Sequence, residues 1–139
     1  MIGIILISHA HIASETKIAV EHILGKQDFF ETIDIPNSDG LTGEQLHFDT
    51  LLESVDNGDG VLVMVDLFGA TPCKLVLEAN RSEGIEVIAG FNVPAVVKAI
   101  TFRQSADNLL ELAKTSATSG QQYLQLMTNI NKTQEIPID

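Results

Sequence analysis

Two uninterrupted hydrophobic runs limit most strongly what this chain can fold into. Residues 2–7 and 61–65 are hydrophobic throughout except for one glycine, and most of them are β-branched. Such runs predict strands that are buried on both faces, as in a parallel sheet. Residues 29–35 and 86–89 are further strand-like segments, and segments of helical period separate the four. This alternation predicts an α/β fold: an open, doubly wound, mostly parallel sheet with helices on both faces.

Capping and breaking residues delimit the first three predicted helices. The first spans residues 12–24 and ends at Gly25. Its predicted core-facing stripe is Ile12, Thr16, Ala19 and Ile23. The second begins at a capping-box pattern that starts at Thr42. The third begins at Thr71, which is followed by proline, and runs to about residue 80.

Two more helices are predicted in the last third of the chain. Pro94 opens the fourth, whose core-facing residues would be Val93, Val96, Val97 and Ile100. Ser105 would cap the fifth, which is built on Leu109, Leu112 and Ala113. Residues 121–127 fit either more helix or an edge strand that pairs elsewhere. We expect a single domain over residues 1–131 and a tail over residues 132–139.

Charge and cysteine content exclude several classes of protein. Eight Lys and Arg against 19 Asp and Glu give a net charge of −11, which argues against nucleic-acid binding and against an anionic membrane surface. Cys73, the only cysteine, excludes an internal disulfide and a Cys-rich zinc site, and fits a reducing compartment. No hydrophobic run is long enough to span a membrane, and the first residues do not resemble a signal peptide. We therefore expect a cytoplasmic protein without membrane insertion.

Polar residues follow the two most hydrophobic strands. In a sheet of this kind, ligands bind outside the carboxyl ends of the strands, where the strand order reverses. Ser8 and His9 follow the first strand and Asp66 follows the third, so His9 and Asp66 lie side by side if these strands are neighbours. A carboxylate on one ring nitrogen would leave the lone pair of the other free, which suits a nucleophile or a base. Equally, Asp66 could bind backbone amides in a capped loop that leaves His9 merely exposed.

The segment after Asp66 adds a predicted anion site. Gly69 and Ala70 are small enough for a ligand to approach the backbone, and Thr71 stands at a helix start, where amides and the macrodipole favour anions. Thr71 could also do no more than cap its helix. A histidine nucleophile beside an anion site indicates phosphoryl transfer through phosphohistidine. Because no GxxxxGK[ST] loop occurs, we expect the donor to be another protein or a small phospho-compound.

Other chemistries are less well supported by the sequence. His9 and His11 have the i, i+2 spacing of a metal pair, but no cysteine or acidic pair stands near them, and we expect no metal and no cofactor. His11, Phe91 and Asn92 are expected to border the site. Cys73 is expected to be a packed residue. A response-regulator receiver is excluded by the absence of an acidic pair after the first strand.

Three segments, residues 4–9, 60–72 and 87–94, together resemble the IIA component of the mannose family of the phosphoenolpyruvate-dependent sugar phosphotransferase system (PTS). The resemblance extends from the first residue to about residue 120. It implies that His9 takes a phosphoryl group from the phosphocarrier HPr and passes it to a IIB component. It also implies that Asp66 hydrogen-bonds the His9 ring. Phosphate-binding residues implied by the resemblance are Leu67, Phe68, Gly69, Ala70 and Thr71.

The resemblance also raises expectations about partners. Family members are commonly homodimers that exchange a C-terminal strand, which would make residues 121–127 an edge strand. A donor protein must reach His9, so Leu67, Phe68 and Phe91 are candidates for a hydrophobic rim. No IIB domain follows residue 139, so we expect IIB on a separate chain. Ala10 stands where the family usually has glycine. Two alternatives are a regulatory PTS protein that transports no sugar and the phosphotransfer subunit of dihydroxyacetone kinase.

Overall fold

The computed structural model describes residues 1–35, 42–67, 69, 71–77 and 83–129. In this part of the chain, the strands are β1 (Gly3–His9), β2 (Phe30–Ile35), β3 (Val61–Val65) and β4 (Ile85–Ala89). The helices are α1 (Ile12–Leu24), α2 (Thr42–Val55), α3 (Thr71–Leu77), α4 (Val93–Phe102) and α5 (Leu109–Tyr123). The four strands form one parallel sheet in the order β2-β1-β3-β4. The predicted α/β fold with a parallel sheet is confirmed.

The central strands β1 and β3 divide the hydrophobic core into two layers. Ile4 and Leu6 point to the layer that contains α1, α4 and α5. Ile5 and Ile7 point to the opposite layer, which contains α2 and α3. Every residue of β3 is buried. Burial on both faces explains why these two strands are continuous hydrophobic runs instead of alternating sequences.

The strand order reverses between β1 and β3. The chain passes from β1 to β2 through α1 on one face, and returns across β1 to β3 through α2 on the other face. The connections at the carboxyl ends of β1 and β3 therefore diverge to opposite faces of the sheet. Such a point opens a crevice at the carboxyl edge, where α/β proteins bind their ligands.

The predicted core face of α1 is wrong. Ala13 and Val20 are buried, whereas Ile12 and Ile23 are 49% and 59% exposed. Hydrophobic residues occur all around this helix, so its periodicity leaves open which face is buried. The start of the helix fixes that face, because the amide of Ala13 donates to the buried hydroxyl of Ser8 at 2.6 Å.

The predicted start of α5 is also wrong. Its N-cap is Asn108, whose Oδ1 accepts the Glu111 amide at 2.8 Å. Ser105 instead lies in the turn after α4, where its backbone amide donates to Phe102. The side chain of Asn108 has the right spacing to the first free amide of the helix, and that of Ser105 does not.

The structure divides the ambiguous residues 121–127 between helix and irregular chain. Helix α5 continues to Tyr123, residues 124–126 are in neither helix nor strand, and a single 3-10 turn follows at Met127–Asn129. Leu124, Leu126 and Met127 are exposed. The predicted end of the third helix near residue 80 and the predicted tail at residues 132–139 lie outside the described residues.

Candidate active site

His9 and Asp66 meet at the carboxyl edge of the sheet. His9 is the last residue of β1, and Asp66 directly follows β3. His9 Nδ1 lies 2.9 Å from Asp66 Oδ2, and the same oxygen accepts the His9 backbone amide at 3.0 Å. The Asp66 amide donates to Ile7, which extends the hydrogen bonding between the two strands. Both side chains are thus held at the ends of adjacent strands that are otherwise buried.

The hydrogen bond between the two side chains determines which ring nitrogen of His9 is free. An ionised carboxylate can only accept hydrogen bonds, so Nδ1 carries the proton and the lone pair remains on Nε2. The Asp66 side chain is only 12% exposed, whereas that of His9 is 47% exposed. This arrangement presents an oriented imidazole whose Nε2 points away from the carboxylate, in a position that suits a nucleophile.

Among the described residues, the second carboxylate oxygen of Asp66 has no hydrogen-bond partner. Asp66 Oδ1 is buried, and no donor within the described ranges reaches it. A buried acceptor without a partner costs about 1–3 kcal/mol. The backbone amide and the ring of His9 both donate to Asp66 Oδ2. The Asp66 carboxylate is therefore in direct contact with the ring and would stabilise a positive charge that develops there.

Ala10 adopts a backbone conformation that is uncommon for alanine. Its φ is 48°, in the left-handed region that costs a residue with a Cβ about 1 kcal/mol. The Ala10 amide donates to Ile35 at 3.1 Å, in continuation of the bonding between β1 and β2. This amide is therefore engaged in the sheet and does not point at a ligand of His9.

A second imidazole–carboxylate pair lies beside the first. His11 Nδ1 is 3.1 Å from Oδ2 of Asp34, the penultimate residue of β2. Ser14 donates to the same carboxylate through its amide at 3.0 Å and its hydroxyl at 2.5 Å. Burial by itself would raise the pKa of Asp34, but the hydrogen bonds from Ser14 and His11 and the charge of His11 outweigh it and lower the pKa.

Sequence reasoning did not identify Asp34 as a site residue. The feature that could have identified Asp34 is its position near the end of β2, at the edge of the sheet where β1 and β3 also end. In the sheet, Asp34 is the register partner of Ser8, one residue before His9. An acidic residue near the end of any neighbouring strand reaches the same crevice.

The structure describes only part of the predicted phosphate-binding segment. Leu67 is exposed, and Gly69 has a φ of 80° with open space where a side chain would begin. Thr71 is the first residue of α3. Phe68, Ala70 and the side chain of Thr71 lie outside the described part of the molecule.

The predicted border residues Phe91 and Asn92 follow β4. The amides of Gly90 and Phe91 donate to Val65, the residue before Asp66, so this turn lies against the end of β3. Asn92 has a structural role, because its Oδ1 accepts the Ala95 amide and its Nδ2 donates to Gly120, which ties α4 to α5. No described hydrogen bond connects Asn92 to the His9–Asp66 pair.

Neither a metal centre nor a membrane-spanning helix is found among the described residues. These residues contain no group of three or more His, Cys, Asp or Glu side chains placed to hold a metal ion. None of the helices described is both long enough and hydrophobic enough to cross a bilayer.

Comparison with known proteins gives concordant results. The family model EIIA-man, described as PTS system fructose IIA component, matches residues 3–117. The sorbose-specific EIIA component of Lacticaseibacillus casei is 30% identical over 125 residues, which are 84% of this chain and 88% of that protein. The mannose-specific EIIAB component of Escherichia coli K12 is 26% identical over 130 residues. That alignment covers 91% of this chain but only 39% of the longer relative.

A solved structure agrees with the sequence comparisons. The mannose/sorbose-specific IIA subunit from Enterococcus faecalis superposes with a TM-score of 0.78 at 27% identity. The match covers 99% of this chain and 97% of the other. Because the family model spans well over half of the sequence and the fold agrees, this chain belongs to the EIIA-man family of PTS components, the phosphotransferases of sugar transport.

Proposed function

We propose that His9 accepts a phosphoryl group from phosphorylated HPr and passes it to a IIB component during sugar uptake. The observation that carries this proposal is the 2.9 Å contact between His9 Nδ1 and Asp66 Oδ2. It leaves Nε2 as the nucleophile at the point where the strand order reverses. The names of the sorbose- and mannose-specific relatives suggest a sugar of that class, which IIB and the membrane components would recognise.

The proposed transfer exchanges one N–P bond for another. His9 Nε2 attacks phosphorus, its lone pair forms the new bond, and the bond to the donor nitrogen breaks and returns an electron pair to the donor ring. His9 keeps the proton on Nδ1, so its ring gains a positive charge that the Asp66 carboxylate compensates. No base is required, and the protein contributes position and charge stabilisation.

The backbone after Asp66 supports a role in binding the phosphoryl oxygens. Gly69 leaves open space at its Cα, and the first backbone amides of α3 have no acceptor within the helix. We assign the phosphoryl oxygens to the amides of residues 67–70 and to the hydroxyl of Thr71. With His9 and Asp66, these groups would make up the catalytic site.

Both protein partners would dock around His9. Exposed hydrophobic side chains at this edge, Leu67 from the β3 end and Ile12 from the start of α1, are suited to a shallow protein contact. The net charge of −11 favours partners with a basic face, such as we expect for HPr. We place the reaction in the cytoplasm, which suits the single cysteine.

We also propose that the chain acts as a homodimer. Leu124, Leu126 and Met127 are exposed beyond the end of α5, and a second copy could cover them. Light scattering after size-exclusion chromatography should give about twice the 15.0 kDa mass of the chain. A mass of one chain at micromolar concentration would contradict the dimer without affecting the assignment of His9.

The proposal is tested by labelling from phosphoenolpyruvate with enzyme I and HPr. The wild-type chain should acquire an acid-labile label within the time of mixing, and adding IIB should remove it. His9→Ala should lower the initial rate by at least about a thousandfold, since the nucleophile is lost. His22→Ala is the matched control, because His22 is exposed at the far end of α1 and should label as the wild type does. Labelling of His9→Ala at the wild-type rate would refute the proposal.

A further inference from the structure

Two of the four histidines are oriented by a carboxylate. Among the described residues, only the rings of His9 and His11 lie within hydrogen-bond distance of an aspartate, at 2.9 Å and 3.1 Å. In both pairs Nδ1 faces the carboxylate, so Nε2 holds the free lone pair. The His11 side chain is 81% exposed, more than that of His9. His11 therefore repeats the features that make His9 a candidate nucleophile.

The contact between His11 and Asp34 is not needed to cap α1. The amide of Ala13 donates to the Ser8 hydroxyl, and the amide of Ser14 donates to Asp34 Oδ1. The ring of His11 uses the other oxygen, Oδ2. An exposed imidazole that remains on a carboxylate gives up side-chain freedom for a bond worth little to stability. The geometry is better explained by the chemistry that it leaves at Nε2.

We propose that His11 is a second phosphoryl-accepting residue of this chain, with Nε2 as the acceptor atom and Asp34 as its orienting carboxylate. Donors of the required class are small molecules that carry an N–P bond, such as a phosphoramidate. The His11 Nε2–P bond forms as the donor N–P bond breaks, and the donor nitrogen recovers the electron pair. His11 keeps its Nδ1 proton, and Asp34 balances the charge of the resulting ring.

The electrostatics of Asp34 support this assignment. Its hydrogen bonds from Ser14 and His11 outweigh burial and lower its pKa, so the carboxylate stays ionised at neutral pH. An ionised acceptor on Nδ1–H fixes the tautomer and the orientation of the ring, as it does for histidines that bind metals. Asp34 from β2 is the charged group that contacts the ring among the described residues, and Glu15 is the acidic residue in the first turn of α1.

His11 differs from His9 in what surrounds the transferred group. The nearby amides of Ala13 and Ser14 already have acceptors, so they cannot bind phosphoryl oxygens. A phosphoryl group on His11 would therefore stand in water with only Asp34 behind the ring. We expect phospho-His11 to form with small donors and to hydrolyse faster than phospho-His9.

Phosphoramidate, which needs no partner protein, provides the experiment. The folded chain is treated with potassium phosphoramidate, and phosphorylation at each histidine is followed by ³¹P NMR, with signals assigned in His9→Ala and His11→Ala. His22 is the internal reference, because it is exposed and has no carboxylate partner in the described structure. We expect His11 to react about tenfold faster than His22, which corresponds to about 1.4 kcal/mol of barrier.

Two variants isolate the role of Asp34. Asp34→Asn keeps the shape and an acceptor oxygen but removes the charge, so it should lower the His11 rate to that of His22. Ser14→Ala removes the hydroxyl bond to Asp34 but keeps the carboxylate, and it should leave the His11 rate within about twofold. The rate at His9 in the same samples reports whether each variant is correctly folded.

The outcomes separate this inference from the function proposed for His9. The inference is overturned if His11 reacts no faster than His22. It is also overturned if His11 reacts faster than His22 by the same factor in the wild type and in Asp34→Asn. Rapid labelling of His11→Ala by phosphorylated HPr would then still support His9 as the acceptor. The converse result is that His11→Ala loses the label from phosphorylated HPr while His9 still reacts with phosphoramidate at the normal rate. That result would overturn the His9 proposal alone.

Discussion

The two edges of the sheet use their polar side chains differently. At the amino edge, the buried guanidinium of Arg103 donates to the carbonyls of Ile2, Asp28 and Phe29 at 2.7–3.2 Å. At the carboxyl edge, two imidazoles turn one nitrogen toward a carboxylate and leave the other free. The first arrangement satisfies backbone groups, and the second leaves reactive atoms accessible.

Backbone strain follows the same division. Among the described residues, each edge holds one non-glycine residue at positive φ, Phe29 at the amino edge and Ala10 at the carboxyl edge. The Phe29 carbonyl accepts from both the Ile4 amide and Arg103, so two partners stabilise its conformation. Ala10 has one sheet bond, to Ile35. We therefore expect the amino edge to contribute more to stability, and the carboxyl edge, where chemistry is proposed, to tolerate strain with fewer compensating hydrogen bonds.

Removing Arg103 should have the largest effect on stability. Arg103→Met fills similar space but removes the guanidinium donor from three carbonyls, of which only that of Phe29 keeps a second described donor, the Ile4 amide. It should lower the free energy of unfolding by about 3 kcal/mol. Urea denaturation measures this change, and Lys114→Met, at an exposed position of α5, is the matched control with an effect within about 0.5 kcal/mol. Equal effects of the two variants would show that the amino edge is not the stabilising one.

Asp66→Asn should weaken phosphoryl transfer and leave stability nearly unchanged. The amide can still accept a bond from His9, but it cannot compensate a positive ring, so labelling from phosphorylated HPr should slow by at least about tenfold. Rapid-quench labelling gives the rate, and urea denaturation gives the stability. A variant that is labelled normally but unfolds easily would place Asp66 among the structural groups, and the contrast between the edges would fail.

The sequence was sufficient to predict the parallel sheet, because a strand buried on both faces leaves an unmistakable hydrophobic run. It also placed His9 and Asp66 at one edge, since both follow such runs. It could not orient α1, whose hydrophobic residues surround the helix, or choose Asn108 over Ser105 as a cap. Asp34 was missed because its partner, His11, lies 23 residues away. Only the parallel pairing of β1 and β2 brings them together.

The free energy of unfolding at acidic pH should depend on the ionisation of Asp34. A lowered pKa in the folded state means that Asp34 stabilises the fold fully above its ordinary value of 3.8. That contribution disappears as the pH falls through the lower folded-state value. Asp34→Asn should therefore be less stable than the wild type at pH 7, and the difference should narrow below about pH 4.

Urea denaturation at pH 7, 5, 4 and 3 checks the expectation for Asp34. Asp107→Asn, a change at an exposed carboxylate before α5, should differ little from the wild type at every pH. A difference between wild type and Asp34→Asn that is constant from pH 7 to 3 would mean that the charge of Asp34 stabilises nothing at the carboxyl edge.

Ala10→Gly should have the smallest effect, and in the stabilising direction. Glycine removes the cost of about 1 kcal/mol for a left-handed alanine but adds freedom to the unfolded chain, which offsets about half of that gain. A net increase of about 0.5 kcal/mol in the free energy of unfolding is expected. Ala19→Gly, inside α1, is the control and should instead destabilise by about 1 kcal/mol. If both variants lose stability equally, the strain at Ala10 is not real, and the carboxyl edge differs from the amino edge only in its side chains.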